Sequence, residues 1–117
     1  MLNNIIFHNP RCTKSRETLK IVEENNLGLK IIEYLKTPPT IEELDYICKK
    51  LGVDPKELIR TKEKLYSELG ISISDDKSRK EWLKILSENP KLIERPIVIY
   101  NNKAVIGRPP EKVLEVI

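Results

Sequence analysis

The sequence is poor in the features that would direct a chain to a membrane, to an oxidising compartment or to a nucleic acid. Its longest apolar runs, Ile5-Ile6-Phe7 and Ile97-Val98-Ile99-Tyr100, are far too short to cross a bilayer, and the first lacks the length and cleavage site of a signal peptide. A cytoplasmic location with no membrane partner is therefore expected. Only two cysteines are present, Cys12 and Cys48, and they lack CxxC spacing. Reduced thiols are expected in place of a structural bridge, and no metal site. Lysine and arginine number 21 against 18 acidic residues, a formal net charge of +3. That excess is too small for duplex DNA or RNA, so no nucleic-acid partner is expected and a small anion is the better match. Repeats, linkers and low-complexity tails are likewise missing.

What is there is the composition of a globular protein, 39% apolar and 33% charged over 117 residues. One domain spanning 1–117 is expected, hiding about two-thirds of the area its unfolded form would expose. Ile5 to Phe7 reads as a buried strand ended by Asn9-Pro10, residues 13 to 25 carry helical spacing at Leu19, Ile21 and Val22, and Leu29 to Tyr34 reads as a second strand. After Thr37-Pro38-Pro39, Thr40 and Glu43 form a capping-box pattern ahead of Ile41, Leu44, Ile47, Cys48 and Leu51 at helical intervals. Asp54, Pro55 and Glu57 open a shorter helix carrying Leu58, Ile59 and Arg60, and Ser78 with Glu81 starts another through Trp82, Leu83 and Leu86. Ile97 to Tyr100, a turn at Asn101-Asn102 and Ala104 to Ile106 make a hairpin, and Pro109-Pro110 open a last short helix. The order βαβ, helices, ββα predicts an α/β fold: a thioredoxin- or glutaredoxin-like mixed four-stranded sheet with a helical insertion.

The chemistry concentrates at "FHNPRCTKSRETL". A helix that starts near Thr13 puts Cys12 at its mouth, where unpaired N–H groups and the positive end of the dipole favour a thiolate. His8, Arg11, Lys14 and Arg16 crowd the same loop, and any positive charge pointing inward strengthens the effect. His8 is a candidate for charge stabilisation or hydrogen bonding, and Ser15 is a candidate hydrogen-bond donor to the sulfur. Cys48, on the apolar stripe of its helix, reads as inert packing. The pattern of a phosphatase fails because Thr18, not arginine, stands six positions after Cys12, and a dithiol switch fails because Ser15 holds the place of the second cysteine. A solitary thiol needs an outside thiol to resolve its adduct.

Five ordered blocks, "HNPRCTKSRETL", "EYLKTPPT", "ELIRTKEKLYSELG", "NPKLIERPIVI" and "AVIGRPPEKVLEVI", make the chain resemble the glutaredoxin-coupled arsenate reductases. With nine residues after Arg108 it is most similar to the shorter branch of that family. The resemblance implies that Cys12 attacks arsenate while Arg60, Arg95 and Arg108 hold the oxyanion. It further implies that glutathione as co-substrate reduces the adduct to arsenite, and that glutaredoxin clears the mixed disulfide, in a monomer with no bound cofactor. A fold of this kind also predicts a cis Arg95-Pro96 bond facing the cysteine. Two other readings are weaker. One is a single-thiol oxidoreductase acting on glutathionylated substrates or another oxyanion. The other is a redox-linked regulatory module that contacts RNA polymerase, against which the absence of a CxxC pair argues.

Overall fold

In the computed structural model, which describes residues 2–117, four strands form one sheet: β1 (Ile5–His8), β2 (Lys30–Glu33), β3 (Ile97–Tyr100) and β4 (Lys103–Ile106), in the order β2-β1-β3-β4. β1 is parallel to β2 and antiparallel to β3, and β3 and β4 are antiparallel. This is the mixed four-stranded α/β sheet that the sequence predicts. Parallel neighbours need a crossover, and the chain supplies one as helix α1 (Thr13–Glu24). The antiparallel pair needs only a tight turn. Asn101 and Asn102 take φ of 54° and 61°, the left-handed pair that matches the twist of a two-residue hairpin and that asparagine tolerates.

The described residues divide into two compact units. The first runs up to Thr37 and resumes with Arg95–Ile117, so it holds the sheet, α1 and a closing 3₁₀ helix, Pro110–Val116. Val22 of α1 packs there with Ile6, Val98 and Val105 of the sheet and with Val113 and Val116, one apolar layer between helices and strands. That packing holds the start of α1 at the end of β1.

The second unit, Pro38–Glu94, contains α2 (Ile41–Leu51), α3 (Lys64–Glu68), α4 (Arg79–Glu88) and 3₁₀ turns at Pro55–Leu58 and Pro90–Leu92. Both longer helices begin as predicted: Thr40 with Glu43 and Ser78 with Glu81 close reciprocal capping boxes. α2 lies against α4, with Leu44, Ile47, Trp82, Leu83 and Leu86 buried and the Arg79 Nε 2.7 Å from Asp45. One expectation is corrected here. Leu58, Ile59 and Arg60 do not share a helix, because the turn ends at Leu58 and Ile59 is extended, bridging to Ile93. The Arg60 N–H donates to Leu92 O at 2.8 Å and the Glu94 N–H to Leu58 O at 2.8 Å, so strand-like pairing satisfies backbone groups that a longer helix would have used. Among the described residues no helix is long and apolar enough to cross a membrane.

Candidate active site

Cys12 is the N-cap of α1, extended at φ −94° and ψ 124°, with its own N–H donated to Asn9 O at 3.0 Å. The side chain is nearly buried. Burial by itself pushes a thiol up, but the backbone N–H of Ser15, the charge of Arg95 and the backbone N–H of Lys14 act against it, and the net result holds Cys12 below the ordinary thiol value. Cys12 thus stands at the helix mouth that the sequence predicts, with no side-chain cap hydrogen bond from its sulfur to the first turn. The helping cation comes from elsewhere. It is Arg95, just ahead of β3, whose positive charge lowers the Cys12 thiol. Arg16, by contrast, turns its guanidinium to Pro10 O at 3.0 Å and Thr13 Oγ1 at 3.3 Å, strapping the loop.

The Ser15 hydroxyl also has a different partner from the one expected. It lies 2.7 Å from His8 Nδ1 and accepts the Asn9 N–H at 3.0 Å, so the side chain braces the loop. His8 closes β1 opposite Glu33. Burial lowers its pKa, more than the Glu33 and Glu23 carboxylates raise it, and Arg16 adds to the lowering. His8 is thus a neutral hydrogen-bonding group near pH 7 and not a cation, the reason being the loss of water around it.

Arg95 and Arg108 are brought together. The Arg95-Pro96 bond is cis as predicted, and the Arg108-Pro109 bond is cis too. Arg108 Nη1 donates to Arg95 O at 3.4 Å from an otherwise exposed side chain. Arg95 Nε is buried and, among the described residues, is the side-chain nitrogen or oxygen left without a hydrogen-bond partner. An orphaned guanidinium N–H beside a thiolate is a donor waiting for an acceptor, and an oxyanion supplies one.

Arg60 stands in the second unit. Its Nη1 lies 3.2 Å from Glu63 Oε2 and 3.2 Å from Lys91 O, so this guanidinium already has a carboxylate. Cys48 is also there, fully buried in α2, and burial pushes its thiol up to about 11. It is packing, as its place on the apolar stripe predicts. Among the described residues no three His, Cys, Asp or Glu side chains gather where a metal ion could be held.

Two contributors went unread in the sequence. Gly107 is buried against Thr18, and the Gly107 N–H donates to Pro96 O at 2.9 Å. A glycine next to Arg108 and a threonine one turn beyond Ser15 were the available signals. Together the first unit offers a thiol held below its ordinary value, a guanidinium whose charge lowers it and a second guanidinium adjoining the first. That arrangement can admit an anion and attack it.

Comparison with known proteins agrees with this chemistry. The profile of the ArsC family matches residues 7–116. A protein of Haemophilus influenzae named arsenate reductase is 48% identical over 114 residues, covering 97% of this chain and 97% of the relative. An arsenate reductase of Escherichia coli K12 is 36% identical over 117 residues, covering 100% of this chain and 82% of that one. Among solved structures, an arsenate reductase from Vibrio cholerae superposes with a TM-score of 0.90 at 44% identity, covering 97% of this chain and 96% of the other.

Proposed function

The chain belongs to the ArsC family, and from that premise we propose that it is an arsenate reductase whose nucleophile is the Cys12 thiolate and whose electrons come from glutathione and glutaredoxin. The observation that carries the reading is the Cys12 thiol at the mouth of α1, lowered by the charge of Arg95, whose buried Nε is left without a partner. A thiolate approaching an anion at 4 Å meets a repulsion of about 4 kcal/mol per charge pair at an effective dielectric of 20. Guanidinium groups offset that charge and grip two oxygens at once, which an ammonium does not reproduce. Arg95 and Arg108 serve in this way, and the family resemblance makes Arg60 the third candidate.

In the proposed sequence the Cys12 sulfur forms a bond to arsenic and an arsenic-bound oxygen departs as water after protonation. The thiolate of glutathione then attacks the Cys12 sulfur. The sulfur–arsenic bonding pair stays on arsenic, which leaves reduced as arsenite, and a Cys12–glutathione disulfide remains. Glutaredoxin removes the glutathione by thiol–disulfide exchange and restores the thiolate. No bound cofactor takes part, and the enzyme acts as a cytoplasmic monomer.

The decisive assay couples arsenate reduction to glutathione and glutaredoxin in wild type, Cys12→Ser and Cys48→Ser, with thioredoxin as an alternative donor. Turnover is expected in wild type and Cys48→Ser and is expected to vanish in Cys12→Ser. A wild type inactive with every thiol donor, or equal losses in both variants, overturns the proposal.

A further inference from the structure

Helix α1 and the turn carrying Arg108 interlock at one point. Thr18 is fully buried, with its hydroxyl donated to Lys14 O at 2.8 Å, one turn back in α1, and to Gly107 O at 3.4 Å. The contact is so close that a Cβ on residue 107 would stand 2.5 Å from Thr18 Oγ1 and 3.0 Å from both Thr18 Cγ2 and Pro96 Cγ. Gly107 is therefore cupped between Thr18 and Pro96. Each wall of that cup leads to the site: Thr18 is on the helix that Cys12 caps, Pro96 follows the Arg95 whose charge lowers the Cys12 thiol, and Gly107 precedes Arg108.

We propose that Thr18 is a positioning residue for oxyanion capture: by filling the space against Gly107 it fixes the spacing between the mouth of α1 and the turns that aim Arg95 and Arg108. The inference rests on the reading above for the identity of the anion and goes further in assigning what sets the grip. Thr18 touches no substrate and acts through Gly107. Its shape is the working part, because the shorter hydrogen bond stays within α1 and the longer one is a weak contact at the limit of hydrogen-bond length.

The test compares alkylation of Cys12 by iodoacetate, an anion, with alkylation by neutral iodoacetamide, in wild type, Thr18→Ala, Thr18→Val, Gly107→Ala and the double variant Thr18→Ala/Gly107→Ala. The neutral reagent reports the thiolate, and the ratio of the two rates reports the guanidinium field. Thr18→Ala and Gly107→Ala are each expected to lower the iodoacetate-to-iodoacetamide ratio by about threefold to tenfold while the iodoacetamide rate stays within about twofold. In the arsenate assay the same variants are expected to raise KM more than they lower kcat. Thr18→Val keeps the wild-type ratio, and the double variant recovers most of it, because the added methyl occupies the room the threonine vacated. An unchanged ratio in Thr18→Ala, an equal loss in Thr18→Val or additive losses in the double variant overturn the proposal. Should Gly107→Ala fail to fold, the Thr18→Ala and Thr18→Val pair decides by itself. A wild type that turns over no arsenate but follows the alkylation pattern sinks the substrate and keeps the positioning role.

Discussion

The Ser15 hydroxyl stands 2.7 Å from Nδ1 of His8, seven residues back in the chain, and both side chains are buried. One oxygen thus joins the end of β1 to the first turn of α1 while also accepting the Asn9 N–H. That oxygen is engaged by His8 and Asn9 and not by the sulfur of Cys12. In Ser15→Ala the His8 ring and the Asn9 N–H lose their partner, which is expected to destabilise the fold by about 1–3 kcal/mol in urea unfolding. Iodoacetamide reactivity of Cys12 at pH 7 should change far less. A variant of full stability whose thiol titrates like a free one would show that the hydroxyl, not the backbone, holds the charge.

The lowered pKa of His8 makes stability depend on acid. The unfolded state binds a proton near 6.5, and the folded state resists it because the ring is buried. Between those two values unfolding takes up a proton, so stability is full above about 6.5 and falls as the pH drops toward the folded value. Urea midpoints measured from pH 8 to pH 5 should show this decline, and His8→Asn should flatten it. An identical slope in the variant assigns the acid sensitivity to other groups.

Arg95 has two tasks that substitutions separate. Arg95→Met removes both the charge that lowers the Cys12 thiol and the unpaired Nε donor, so the midpoint of Cys12 alkylation against pH should move up and arsenate kcat/KM should fall about 10²- to 10³-fold, the usual effect of losing one donor to a developing oxyanion. Arg95→Lys keeps the charge and should restore much of the alkylation midpoint without restoring kcat/KM, because an ammonium lacks the planar fork. Recovery of both by lysine argues that only the charge matters.

Glu63 competes with substrate for Arg60 if Arg60 holds the oxyanion. The pair is 3.2 Å apart with both side chains partly exposed, so screening leaves it worth about 0.2–1 kcal/mol. Glu63→Gln should therefore lower the arsenate KM by up to about fivefold, the equivalent of ~1 kcal/mol. A KM that rises or stays the same removes Arg60 from the anion's partners.

Much of the fold was legible because its signals are short in range. The Thr40–Glu43 and Ser78–Glu81 boxes, the Asn101-Asn102 turn and the strand, helix, strand unit around Cys12 are each decided within a few residues of chain, and all of them are present. The thiol at a helix mouth belongs to the same class. Arg60 was misread onto a helix because nothing local announces that Ile59 will pair with Ile93. The loop cations were natural suspects for the same reason, since proximity in sequence does not say which way a long side chain turns.

The sequence by itself determined a cysteine at a helix cap position and the cis Arg95-Pro96 turn, because backbone propensity and hydrogen-bond capacity are properties of neighbouring residues. Tertiary structure alone decided that Arg108 reaches Arg95, that Ser15 faces His8, and that Thr18 closes on a glycine 89 positions away. Those contacts arise only when the apolar layer of Ile6, Val22 and Val98 brings distant segments to van der Waals distance, and close packing then leaves each side chain one place to go.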